Sequence, residues 1–365
     1  MNFNRKTTFF LLISLIIGIL PPVVLYGLLI KKNNQKNGFE RNFFIETPLT
    51  SSSKLDLKYP GYYISGYTNH NLFLNHIKAP GHTVMSNFLL SDTIHLNLDI
   101  SISEETSNQM KWGRTKVSID SPYVYMADGF SGNILVASLS DKKSKINTFK
   151  NLYFSEYVAL TPSLTSTIFK SYDYDLKQNI IVKKTKDTAN LLKFILKKQI
   201  DGLFCTDGVL LQTKEKSKRV IHIYKYRNQI VSLDTMLRKV YTSKTIDTVS
   251  FANIEVSNIK SGTQRTLSKK PLVVNRKSCV SNDYLFINLS LKADNEESST
   301  FSENTVIDVY FNNSGKYISS FYIPKYENKK FQDFQVIGNT LCVLYDRYIM
   351  SYALSDVAKK ILEVP

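Results

Sequence analysis

Phe334-Gln335-Val336-Ile337, Gly338-Asn339 and Thr340-Leu341-Cys342-Val343-Leu344-Tyr345 set an apolar segment, a tight polar turn and a second apolar segment in a row. Gly and Asn tolerate the backbone angles of a tight reversal, so the stretch reads as a β-hairpin. The same order returns at 279–280, 281–283 and 284–287, at 117–119, 120–122 and 123–126, and at 62–65, 67–71 and 72–74. It is found again at 203–205, 206–208 and 209–211, and more weakly at 157–160, 161–162 and 163–169. One or two further strands follow each copy, for example at 133–139, 219–224 and 229–233. Repetition of a four-stranded antiparallel unit predicts radial stacking, because that arrangement protects the edges of short sheets. The expected fold is all-β, a six-bladed β-propeller of four-stranded antiparallel blades over 54–354. Its last unit supplies only three strands, ending at 352–354, so the early segment 54–58 is expected to be the fourth and to close the ring.

Composition agrees. The chain of 365 residues is 43% hydrophobic and 21% charged, which excludes disorder for its bulk. Its aromatics are 22 Tyr, 21 Phe and one Trp, a β-leaning set. Two stretches break the repeat. Leu191, Leu192, Ile195 and Leu196 have helical spacing and predict a short helix over 187–198, with Asp187 or Thr188 as its N-cap. Residues 241–277 read as an insertion. A short helix or tail is expected at 355–365.

Residues 7–30 carry no charge between the basic tail 1–6 and Lys31. At 1.5 Å per residue such a helix reaches about 36 Å, enough for a hydrocarbon core of about 30 Å. An N-terminal transmembrane helix, kinked at Pro21 and Pro22, is therefore expected. The competing cleaved signal peptide lacks a small-residue cleavage site after its apolar run. Residues 31–53 read as a polar linker. Arg5 and Lys6 are balanced by Lys31, Lys32 and Lys36, so the positive-inside rule sets no orientation. Basic tail, apolar helix and large β domain are a common exported layout, so the expected location is the inner (cytoplasmic) membrane, single-pass, with the propeller periplasmic or otherwise extracytoplasmic.

The 47 Lys and Arg against 31 Asp and Glu give a net charge of +16. The bases are scattered instead of forming a stripe with stacking aromatics, so no nucleic acid is expected as a partner. Basic residues suit an anionic bilayer surface. Cys205, Cys279 and Cys342 are an odd set with apolar neighbours and no Cys-x-x-Cys, and read as buried free thiols.

Nucleophile-elbow, zincin, Walker and dinucleotide fingerprints are all absent from the sequence. No catalytic residue and no cofactor is assigned. His70, His76 and His82, six residues apart, fit no common ligand spacing and abut turns, so they are not assigned as a metal site. His95 and His222 alternate with apolar neighbours and are expected to face solvent or a polar pocket. Asp128, Asp207 and Asp283 read as turn formers, and Asp173 and Asp175 as a weak cation pair. Propellers gather polar side chains where the innermost strands meet the axial channel. The candidate ligand-binding residues are therefore those flanking predicted inner strands: Arg114, Asp120, Gln199, Asp201, Arg276, Ser278, Asp333 and Gln335.

The segments 199–208, 276–280, 307–310 with 315–317 and 320–324, and 333–338 resemble the TolB-like six-bladed β-propeller proteins, more narrowly the membrane-tethered bacterial ones. The resemblance covers residues 54–354 and implies a cell-envelope propeller. On this reading the chain is a membrane-anchored binding or scaffold module with a protein, peptide or glycan partner. The alternative is a metal-dependent propeller hydrolase or lyase acting on a lactone or ester, with Asp120, Asp201 and Asp333 around an axial ion.

Overall fold

The computed structural model describes residues 5–33, 36–44, 49–98, 102–140, 144–186, 188–213, 218–259, 264–329 and 331–355. Helix α1 (Arg5–Asn33) comes first, then β1 (Leu49–Asp56). A meander follows of β2 (Tyr62–Tyr67), β3 (Asn71–His76), β4 (Ala79–Asn87) and β5 (Thr93–Asn97). After the short helix α2 (Glu104–Gln109) come β6 (Lys116–Asp120), β7 (Tyr123–Asp128), β8 (Asn133–Ser138) and β9 (Ser144–Thr148). The next meanders are β10 (Phe154–Ala159), β11 (Ser166–Asp173), β12 (Gln178–Thr185) and β13 (Ala189–Leu192), then β14 (Gly208–Gln212), β15 (Arg219–Tyr224), β16 (Gln229–Asp234) and β17 (Lys239–Lys244). A hairpin of β18 (Val256–Ile259) and β19 (Gln264–Leu267) precedes β20 (Asn275–Ser281) and β21 (Tyr284–Leu289). The chain continues through α3 (Ser298–Glu303), β22 (Asn304–Phe311), β23 (Tyr317–Pro324), β24 (Phe331–Ile337), β25 (Thr340–Tyr345) and β26 (Tyr348–Leu354).

Four of the sheets have four strands each, and an eight-stranded sheet joins the β2–β5 and β6–β9 meanders through one parallel bridge, Gly66 to Ile119. The first strand of each meander neighbours that of the next: β2 lies by β6, Ser118 Oγ of β6 meets the Tyr157 hydroxyl of β10 at 2.6 Å, β10 lies by β14, β14 by β20, β20 by β24 and β24 by β2. The chain is thus a β-propeller with these strands around its axis. β1 pairs antiparallel with β26, Lys54 opposite Met350 and Asp56 opposite Tyr348, so an N-terminal strand completes the last sheet as expected.

Hydrophobic burial between neighbouring sheets holds the ring. Leu72, Leu74 and Val84 pack with Cys342 and Ile349, and Phe73 with Val117 and Met126. Tyr125 and Ile134 meet Phe169 and Val182, and Ile168 and Ile181 meet Val220 and Val231. Ile221 and Ile230 meet Leu285 and Ile287, and Phe286 and Val309 meet Val343 and Tyr345. The β20–β23 sheet is packed on both faces, which is why β21 is buried along its whole length instead of alternating.

Three expectations change. Residues 189–192 form β13, paired with β12, and not a helix, because the edge of that sheet offers a full ladder that outweighs the helical spacing. The copy at 203–208 is displaced: the Asp201 carboxylate accepts from the Leu203 and Phe204 amides and holds a loop there, and the inner strand starts at Gly208. Residues 36–44 are not a free linker. Phe39 is buried with Val274 and Leu289, Asn37 and Gly38 donate to Asp294, and Phe43 forms a parallel bridge with Ser320. The linker also gives up Leu49 onward to β1. Asp187 and residues 356–365 lie outside the described residues.

Residues 5–33 form one helix with Pro21 and Pro22 inside it. Its described side chains are Phe9, Phe10 and residues 13–26, with Phe9, Leu15, Ile19 and Leu25 exposed. Among the described residues no helix is long and apolar enough to cross a membrane.

Candidate functional site

The axial channel is built by the starts of the inner strands. In β10, β20 and β24 the pairing register shifts at the same place, between Phe154 and Glu156, Asn275 and Lys277, and Phe331 and Asp333. A bulge re-aims the residue that follows it. In each strand that residue is charged, and Glu156, Lys277 and Asp333 all line the channel.

Two cavities lie along the axis. One, of about 540 Å³, is walled by Tyr125, Phe154 and Tyr157, with Arg114, Glu156 and Phe130 among its polar and mouth residues. The other, of about 500 Å³, carries Asp207, Lys225, Arg276, Lys277 and Asp333. They share Lys116, Glu156, Leu210 and Leu211 as walls, so the two adjoin. At the first mouth Phe130 is 61% exposed, and the Arg114 guanidinium sits 4.5 Å from its ring centroid with Lys111 Nζ at 5.6 Å. Ring and cation hold each other in place there.

The charges in the second cavity are partly matched. Lys277 Nζ stands 3.4 Å from Asp333 Oδ1, and Asp207 receives Lys225 at 3.6 Å and the buried Lys170 at 3.1 Å. Lys170 also donates to the Gly208 carbonyl. Burial lowers the pKa of Lys225, but Asp207 and Tyr226 outweigh it and the net shift is upward. Burial pushes the Tyr157 phenol up, out of reach of physiological ionisation. The arrangement can offer aromatic faces and charges of both signs to a ligand entering along the axis.

Of the residues expected from the sequence, Arg114 and Asp120 line the first cavity, and Arg276, Ser278, Asp333 and Gln335 the second. Gln199 and Asp201 line neither. Gln199 ties the chain to the Ser250 carbonyl and the Ala252 amide, and Asp201 caps its loop, so both have structural bonds. Asp120, Asp201 and Asp333 do not converge: they lie at the far end of β6, in the loop before β14, and near the start of β24. Among the described residues no group of three or more His, Cys, Asp or Glu is placed to hold a metal. Lys116, Glu156, Lys225 and Lys277, which no motif marks, also line the cavities, as does Asp207, whose Asp-Gly setting reads as a turn. The signal that would have found Glu156 and Lys277 is position, since each follows the first residue of an inner strand by two.

Asp128 is a turn former, accepting from the Lys111, Phe130 and Ser131 amides. Asp173 accepts from the Asp175 and Leu176 amides, which leaves it a turn residue and not half of a cation pair. His222 does not face solvent: it is 1% exposed in the core between sheets. Burial, with Lys170 and Arg227 adding to it, holds its pKa well below the usual value. The three cysteines are buried and free, and burial pushes the Cys342 thiol up to about 12.

No family model matches the chain, and no curated protein does. Solved structures do. A member of the DUF4221 family from Bacteroides vulgatus aligns with TM-score 0.50 at 12% identity, over 88% of this chain and 99% of its own. Virginiamycin B lyase from Staphylococcus aureus aligns with TM-score 0.46 at 12% identity, over 84% and 99%. BamB from Moraxella catarrhalis gives 0.41 at 11%, over 84% and 100%. At such identities the likeness to the first is one of fold alone.

Proposed function

We propose that this chain is a membrane-anchored binding or scaffold module of the bacterial cell envelope, a six-bladed propeller of the TolB-like kind that takes its ligand along the axial channel. The observation that carries the reading is the repeated bulge that brings Glu156, Lys277 and Asp333 to one axial cavity, adjoining a second with aromatic walls. Deep concave sites with a few placed polar groups are the usual ligand sites of folded domains. A count of six blades takes the four four-stranded sheets and both halves of the eight-stranded one, which share only the Gly66–Ile119 bridge. The hydrolase or lyase reading is the weaker one, because the three aspartates it needs stand apart.

The anchor reading rests on the sequence alone, on the uncharged run 7–30, which as a helix would reach about 36 Å at 1.5 Å per residue. Placement of the propeller outside the cytoplasm belongs to the same proposal, as does a protein, peptide or glycan partner. A photo-crosslinking residue at Lys116, compared with one at the exposed Tyr174, tests the channel in intact cells. Capture of one species from Lys116, lost with Glu156→Ala and Arg276→Ala, is expected. Equal capture from both positions would remove the channel as the site. Alkaline extraction and protease accessibility in spheroplasts test the anchor: release into the soluble fraction, or protection of the propeller, would overturn it.

A further inference from the structure

We infer that His82 and His95 form an exchangeable site for a divalent transition-metal ion of the zinc type, on the outer rim of the β2–β5 sheet and remote from the channel lining. His82 on β4 lies opposite Asn97 on β5, and Val84 opposite His95. Facing residues of an antiparallel pair share a sheet face, so His82, His95 and Asn97 stand on one side. His82 Nε2 lies 3.3 Å from His95 Nδ1, and the ring centroids are 5.3 Å apart at an interplanar angle of 24°. The two nitrogens therefore face one another across a gap between the rings.

That separation matches two nitrogens that share one metal ion. Two Zn–N bonds of about 2.0–2.1 Å meeting at the tetrahedral angle leave their nitrogens about 3.3–3.4 Å apart. A second observation fixes the ligand form. The Asn97 side-chain oxygen, which only accepts, lies 3.3 Å from His82 Nδ1, so that nitrogen carries the proton and the Nε2 lone pair points at His95. A ring nitrogen held by a carbonyl oxygen is the usual outer support of a metal-bound imidazole. Imidazole pairs suit zinc, copper and nickel.

The other histidines are spoken for or apart. His76 donates Nε2–H to the Pro60 carbonyl at 2.9 Å and accepts the Lys78 amide at Nδ1, so it has no lone pair to offer. His70 is exposed in the β2–β3 turn. The site thus has two protein nitrogens at an exposed edge, and water completes the coordination. Its binding is modest and reversible, and an occupied site ties β4 to the edge strand β5.

Titration of Zn²⁺ into the chelator-stripped full chain in detergent, followed by calorimetry, tests this. One ion per chain is expected, with binding lost in His82→Ala and in His95→Ala. Asn97→Ala should weaken it about tenfold, and His70→Ala and His76→Ala should leave it unchanged. The Cu²⁺-loaded chain should show two coordinated nitrogens by electron paramagnetic resonance. No Zn²⁺ binding by the unaltered chain, or binding that survives His95→Ala, would overturn the assignment and leave an ordinary imidazole hydrogen bond. His70, His95 and Asn97 are exposed and His76 and His82 half-buried, and far-ultraviolet circular dichroism checks that the variants fold.

Discussion

The Arg41 guanidinium meets the Asp308 carboxylate at 2.8 Å with neither side chain exposed, although 267 positions separate them in the chain. Glu296 closes the group from the other side. Burial alone would lower the Arg41 pKa, but the two carboxylates outweigh it and raise it. Ser320 Oγ donates to Asp308 and the Tyr322 hydroxyl to Glu296, so the charges are well bonded. The segment before β1 is thereby locked onto the β20–β23 sheet. Arg41→Ala would leave two buried carboxylates unpaired, at a cost of about 3–5 kcal/mol. Urea unfolding of the variant measures it, and a loss under about 1 kcal/mol would show the strap to be dispensable.

Gly66 marks the closest approach of two inner strands. A Cβ built there would sit 2.0 Å from the Ile119 carbonyl oxygen, a backbone atom that cannot swing away. Gly66→Ala should therefore push β2 from β6 and destabilise the fold by about 1–3 kcal/mol. A melting temperature equal to that of the parent chain would contradict this.

The Lys277–Asp333 pair joins two sheets but has side chains 42% and 20% exposed. Water screens it, so Lys277→Ala and Asp333→Ala should each change stability by less than about 1 kcal/mol. Both should nevertheless reduce crosslinking from the channel. Large losses of stability with unchanged crosslinking would assign the pair to the scaffold.

Acid should loosen the region around His222. Its folded pKa lies well below the unfolded value of 6.5, so below that pH the unfolded chain binds a proton that the folded chain refuses. Stability is then present above 6.5 and falls as pH drops, by up to about 1.4 kcal/mol per unit. His222→Leu should flatten that slope in denaturation curves taken between pH 5 and 7. An unchanged slope would place the acid sensitivity elsewhere.

How far the sequence reached differs between fold and site. The hairpins at 117–126, 279–287 and 334–345 lie where the apolar–turn–apolar order puts them, and in the last two Asn282 and Gly338 adopt the positive φ that such turns need. The failures share one cause. Leu191 and Leu192 became a strand because β12 had an unpaired edge, a property of another segment. His222 was buried by a neighbouring sheet that local alternation does not register. Gln199 and Asp201 flank an inner strand in sequence yet spend their polar atoms on loop amides and carbonyls.

Local turn chemistry and apolar runs suffice for the recurrence along the chain, the all-β class and the closing strand near residue 54. Which charges share the axis, the burial of Arg41 and the meeting of His82 with His95, and not with His70 or His76, are set by contacts between distant segments. Those outcomes depend on bulges and on the register between strands, where a shift of one residue sends a side chain to the opposite face.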